Sequence, residues 1–174
     1  IGTTSPTNLL SLRKDVAGGD VAIYLQNYNS VVGSTDETVS IKFAHGNDGG
    51  SGYVGAKIVG GKEGDFESSP ANVKGFMSFY TNEGSLTSQV EQMRINGDGN
   101  VGIGTTSPFS TAKLQVKTAT DKNLAIQTGT TNTTGIKINA FNDAGSANIP
   151  LELNGSILSL KTGETEKMRI TSAG

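Results

Sequence analysis

Met93-Arg94-Ile95-Asn96-Gly97-Asp98-Gly99-Asn100-Val101-Gly102-Ile103-Gly104-Thr105-Thr106-Ser107-Pro108 decides the fold, because both of its halves have a second copy in the chain. Its second half matches Ile1-Gly2-Thr3-Thr4-Ser5-Pro6, and Glu91-Gln92-Met93-Arg94-Ile95 returns as Glu166-Lys167-Met168-Arg169-Ile170. Strings that recur in this way mark a joint between structural units. The joint divides the chain into a first module over 1–102 and a second, shorter one over 103–174. Inside it, Gly97-Asp98-Gly99-Asn100 supplies residues that tolerate positive φ, so the chain should reverse between Ile95 and Val101. Val101 and Ile103 then alternate with Gly102 and Gly104. One face is apolar and the other has no side chain, which suits close contact with another strand or another chain. Pro108 cannot donate to a ladder and closes the pairing.

Working outward, Leu114 and Val116 flank Gln115 as Leu10 and Leu12 flank Ser11, and Leu124 and Ile126 answer Val21, Ile23 and Leu25. Ile41-Lys42-Phe43 with Asn47-Asp48 aligns with Ile136-Lys137-Ile138 and Asn142-Asp143. Phe76-Met77-Ser78-Phe79-Tyr80-Thr81 aligns with Ile157-Leu158-Ser159-Leu160-Lys161-Thr162. Each is a short period-two run bounded by turn residues, the pattern of a strand with one apolar face. No window carries a sustained helical period, and a helical turn is expected at most over Ser85 to Gln92. The fold class is therefore all-β.

Composition limits how such strands can be covered. Glycine makes up 24 of 174 residues, about twice its usual share. With hydrophobic residues at 34%, much of what would be core volume is bare backbone. Many short strands with a thin core leave apolar faces and strand edges open, and association of identical copies closes both. There is no cysteine, no apolar run long enough to cross a membrane and no lysine or arginine cluster. Disulfide scaffolding, membrane insertion and nucleic-acid binding are not expected.

The run from Met93 to Pro108, followed by Leu114 and Val116, resembles the recurring element of bacteriophage tail fibres and tailspike-like adhesins. The resemblance implies an elongated homotrimeric fibre of repeated β-rich modules, of triple-β-helix or intertwined β-sandwich or prism type. It also implies a virion or extracellular-surface location and a host-surface glycan or protein as receptor. In that setting Met93, Ile95, Val101, Ile103, Leu114, Val116, Met168 and Ile170 are the candidate trimer core. Arg94 and Arg169 are expected at the trimer surface or paired with acids of a neighbouring chain. A bacterial surface fibre built from the same module is the alternative source.

The modules differ chiefly over about 49–75, an insertion in the first. Insertions in repeats usually form surface loops, so Tyr53, Glu63, Asp65, Phe66 and Glu67 are the candidate receptor contacts. The alternating acids Glu63, Asp65 and Glu67 also raise a second class of function, a polysaccharide-degrading tailspike enzyme. Alternation alone forms no cleft and raises no pKa, so no catalytic residue is assigned. Gly102-Ile103-Gly104-Thr105 lacks the third glycine, the lysine and the helix of a phosphate loop. His45 beside an Asn-Asp turn reads as an exposed histidine, and Asp98 with Asn100 as turn formers; no cofactor or metal is expected.

Overall fold

The computed structural model describes residues 24–27, 37–46, 52–64, 66, 73–84, 88–130, 134–155 and 157–171. The string at 1–6, the pairs Leu10/Leu12 and Val21/Ile23, and the turn at Asn47-Asp48 lie outside them. The all-β expectation holds, with ten strands and no helix among the described residues. Eight strands pair in chain order into one sheet: β1 (Thr38–Gly46), β2 (Gly52–Lys62), β3 (Gly75–Asn82), β4 (Gln89–Ile95), β5 (Val101–Ile103), β6 (Ala112–Ala119), β7 (Lys122–Thr128) and β8 (Ile136–Phe141). β9 (Ile157–Thr162) and β10 (Thr165–Thr171) form a separate hairpin. β5 spans the 102/103 joint and is bonded on both sides, antiparallel to β4 and parallel to β6.

Three local expectations are corrected. Within the segment over 49–75, Gly52–Lys62 is not a loop but β2, bonded to β1 and over Ala56–Lys62 to β3. Tyr53, Val54, Ile58 and Val59 supply enough β-forming side chains for a strand despite the glycines between them. His45 likewise belongs to β1, opposite Tyr53, rather than to a turn. Gln89–Gln92, the part of the expected helical turn within described strand, starts β4.

The joint folds as its residue types dictate. Gly99 takes φ 72°, the left-handed conformation that costs glycine nothing. The Asn96 side-chain oxygen accepts from the backbone N–H of Asp98 (3.1 Å) and Asn100 (2.8 Å), and the Asn96 N–H donates to the Asn100 carbonyl at 3.0 Å. After β5 the chain crosses back over one face of the sheet to enter β6. Gly102 makes that possible, because a Cβ there would lie 2.7 Å from the Thr105 carbonyl oxygen and 3.4 Å from Pro108. The bare face expected to receive another strand or chain is thus occupied by the chain's own crossover.

Beneath the crossover sits a small core. Phe109 meets Phe141 edge to face at 5.2 Å, over the buried Ala112 and Ala125. A chain of hydrogen bonds runs beside it. The Phe109 N–H donates to the Gln115 side chain (2.8 Å), Gln115 donates to Asn123 (2.8 Å), and Asn123 donates to Asp143 (2.9 Å). Lys117 closes the chain on the other Asp143 oxygen at 2.6 Å. Satisfied buried amides of this kind fix one register, since any slip strands a polar group.

Lys117, then Asn123 and the backbone near Asp121, hold the Asp143 carboxyl down to about 2. A depressed carboxyl contributes stability that is complete above its unfolded value near 3.9 and lost as pH falls through the folded value. Melting temperature is therefore expected to drop between pH about 4 and about 2. In Asp143→Asn that drop becomes shallower, which thermal melts across the range would read. Asp98 and Glu166 are also held low, by Lys74 and Arg169, and act in the same direction.

Candidate functional site

Residues opposite one another in a ladder share a face of the sheet, so the register says which side chains gather where. One row crosses all eight strands as Ile41, Ile58, Phe79, Met93, Ile103, Val116, Leu124 and Ala140. The row beside it reads Val39, Gly60, Met77, Ile95, Val101, Leu114, Ile126 and Ile138. Gly60 is the one position in either row without an apolar side chain. The row facing the other way is Ser40, Val59, Ser78, Arg94, Gly102, Gln115, Ala125 and Asn139.

Burial is the reverse of what these chemistries would choose. On the polar side Ser78, opposite Arg94, is wholly buried, and Gln115, whose side chain accepts from the Phe109 N–H of the crossover, is 2% exposed. On the apolar side Ile103 and Ile126 are each 40% exposed and Ile138 is 62% exposed. Eight strands about 4.8 Å apart carry the two rows across roughly 38 Å, an open apolar area of roughly 500 Å² in projection. That lies at the upper end of the largest patches found on monomeric soluble proteins.

Six of the eight candidate core residues, Met93, Ile95, Val101, Ile103, Leu114 and Val116, are brought together at the middle of this face. Five of them are half-buried and Ile103 is exposed. Within one chain, therefore, they line an open face instead of an enclosed core. Met168 and Ile170 face Leu160 and Leu158 on the β9–β10 hairpin, all but Leu158 exposed. Sequence reasoning missed the flanking members of the face, chiefly Ile41, Ile58, Met77 and Ile138. The period-two runs of Ile41, Met77 and Ile138 were legible, but the order of the strands was not, and Ile58 lay in the segment read as an insertion.

The recurring Glu-x-Met-Arg-Ile string encodes a specific device. In a regular strand, residues three apart point to opposite faces. The β3–β4 register shifts between Phe79 and Tyr80, so Gln92 of β4 bulges out and Glu91 and Arg94 come to lie on the same side. Arg94 then grips Glu91 with two parallel hydrogen bonds, Nε to Oε1 at 2.7 Å and Nη2 to Oε2 at 2.8 Å. The β9–β10 hairpin repeats the bulge, with Ser159 opposite Arg169 as Ser78 is opposite Arg94. Arg169 makes the same forked contact to Glu166, at 2.8 Å in both bonds. Both arginines thus pair with an acid of their own strand.

Arg94 does more than its counterpart. It lies 3.8 Å over the Phe76 ring, and its Nη1 is 3.7 Å from Glu63 Oε1. Partial burial pushes the Glu91 carboxyl up, but hydrogen bonds from Arg94 and then Tyr80 outweigh it and hold the group below its ordinary value. Burial, followed by the bond to Glu91 at 2.8 Å, pushes the Tyr80 phenol up.

The candidate receptor contacts are not brought together. Tyr53 stands near the start of β2 and Glu63 just past its end, roughly 30 Å of strand apart. Glu63 is committed to Arg94 and to the Gly97 N–H, 2.7 Å from its Oε2. Asp65 and Glu67 lie outside the described residues. Phe66 packs under the Lys62 ammonium at 5.2 Å, where Tyr24, Glu37, Lys62, Phe66 and Phe76 line an open cleft of about 570 Å³. Lys62 and Glu37 form an ion pair at 3.2 Å in that cleft. Asp98 and Asn100 are bonded to the ammonium groups of Lys74 (2.6 Å) and Lys113 (2.9 Å).

No protein-family model matches the chain. The curated proteins contain no match to it.

Proposed function

We propose that the chain is a structural and adhesive segment of a homotrimeric β-rich fibre of the phage tail-fibre type, carried on a virion or an extracellular surface. Its role is mechanical: it transmits attachment between a particle and a host surface and carries no catalytic centre. The observation that carries the reading is the pair of apolar rows left open on one side of the eight-stranded sheet. Three copies packed about an axis would bury those rows against one another, which is the ordinary reason for a self-complementary apolar face. The recurrence of the bulged Arg–Glu hairpin at β3–β4 and β9–β10 supports a fibre of repeated modules. The engagement of Glu63 by Arg94 and Gly97 supports a binding role over the glycosidase reading.

Contact with a host-surface glycan or protein is assigned to the cleft at the end of β2, where aromatic rings and the Lys62–Glu37 pair offer both a stacking surface and polar partners.

Light scattering of the purified chain tests the reading. The expected mass is about three times 18.0 kDa. Ile126→Asp, on the open face, is expected to dissociate the assembly. Lys42→Asp, an exposed position facing away from the rows, is expected to leave it intact. A monomeric wild-type chain, or assembly unaffected by Ile126→Asp, would overturn the proposal.

A further inference from the structure

The chain contains two Asn-Gly steps, Asn96-Gly97 and Asn154-Gly155, and the fold treats them in opposite ways. We propose that Asn154 is a built-in site of spontaneous covalent modification, and that Asn96 is protected from the same chemistry by its hydrogen bonds. In this reaction the backbone nitrogen of the following residue loses its proton and attacks the asparagine side-chain carbonyl carbon. A C–N bond forms, the side-chain amide leaves as ammonia, and water then opens the five-membered imide to aspartate or isoaspartate. Glycine favours it, because no Cβ hinders the approach of its nitrogen.

At Asn96 every group that must move is held. Its side-chain oxygen accepts two backbone N–H groups, and the attacking nitrogen of Gly97 donates to Glu63 Oε2 at 2.7 Å. Its own carbonyl accepts from Gly99 at 2.9 Å. Asn154 and Gly155 are exposed, outside any strand, between β8 and the β9–β10 hairpin. A Cβ placed on Gly155 would meet nothing nearer than the Ile157 carbonyl at 3.6 Å, so the backbone there is uncrowded. Conversion places a negative charge at this link, and the isoaspartate product lengthens its backbone by one methylene. The connection between the two sheets would thus carry a record of the protein's age.

The test is peptide mapping by mass spectrometry of the whole chain incubated at neutral pH, with and without denaturant. In the folded protein Asn154 is expected to convert about tenfold or more faster than Asn96, since a charge-assisted hydrogen bond must break before Gly97 can react. In denaturant both sites should convert at similar rates. Glu63→Ala, checked for retained sheet structure by circular dichroism, should raise conversion at Asn96 and leave Asn154 unchanged. Equal rates in the folded chain would overturn the inference. So would an unmodified Asn154 that reacts only in denaturant, or conversion at Asn96 that slows in Glu63→Ala.

Discussion

Arg94→Ala is expected to destabilise the protein by about 2–4 kcal/mol, seen as a lower denaturant midpoint with little change in slope. The side chains of Arg94 and Glu91 are 14% and 6% exposed. Removing the guanidinium would leave the Glu91 carboxylate partly buried without its forked partner, and would strip the cation from the Phe76 ring. Arg94→Lys should recover only part of the loss, because an ammonium cannot make two parallel bonds to one carboxylate. The same substitution at Arg169 is a natural control. Sequence and register there are nearly identical, but Arg169 is 51% exposed, and solvent screens its pair with Glu166. Arg169→Ala should therefore change the midpoint little. Equal effects at both positions would show that the motif, and not its burial, sets the energy.

Gly104→Val should be the most damaging change in the joint. Gly104 holds φ 70°, and a Cβ there would lie 2.4 Å from the Lys117 carbonyl oxygen. The left-handed conformation alone costs a branched residue about 1–2 kcal/mol. The clash adds to it, and because the blocking atom belongs to the β6 backbone, the strand itself must shift. The Gly104 N–H also donates to the Gln92 carbonyl at the β4 bulge, at 2.9 Å, so that shift would pull on the Arg94 site as well. Failure to accumulate soluble protein, or a loss of about 3 kcal/mol or more, is expected. Gly99→Asn separates strain from space. Gly99 has nearly the same φ, 72°, with nothing within 4 Å of a new Cβ, and asparagine tolerates that conformation. Near-wild-type stability is expected there, and thermal melts of the two variants would read the difference.

The alternation of Val101 with Gly102 and of Ile103 with Gly104 made a strand with one apolar face legible at once. The Asn-Gly-Asp-Gly run did the same for the reversal before it. The Glu-x-Met-Arg-Ile repeat was legible as a repeat, but its meaning was not. Three residues apart in a strand ordinarily means opposite faces, and only the bulge turns Glu91 toward Arg94. The segment around Tyr53 misled for a related reason: measured against the shorter module it looked like an insertion, yet β1 and β3 were both free to bond to it as a strand. The described members of the receptor set do not gather in one place, since β2 carries Tyr53 away from Glu63 and Phe66.

By itself the sequence determined that the chain is all-β, where most of its described strands lie, which residues on each strand are apolar, and where glycine permits a turn or a close crossing. These are local properties, set by side-chain period and backbone sterics within a few residues. Strand order, the parallel step from β5 to β6 and the alignment of two apolar rows across eight strands were decided by tertiary structure alone. So was the burial of the polar face beneath the crossover. Each depends on hydrogen bonds and contacts between residues far apart in the chain, whose geometry no local pattern contains.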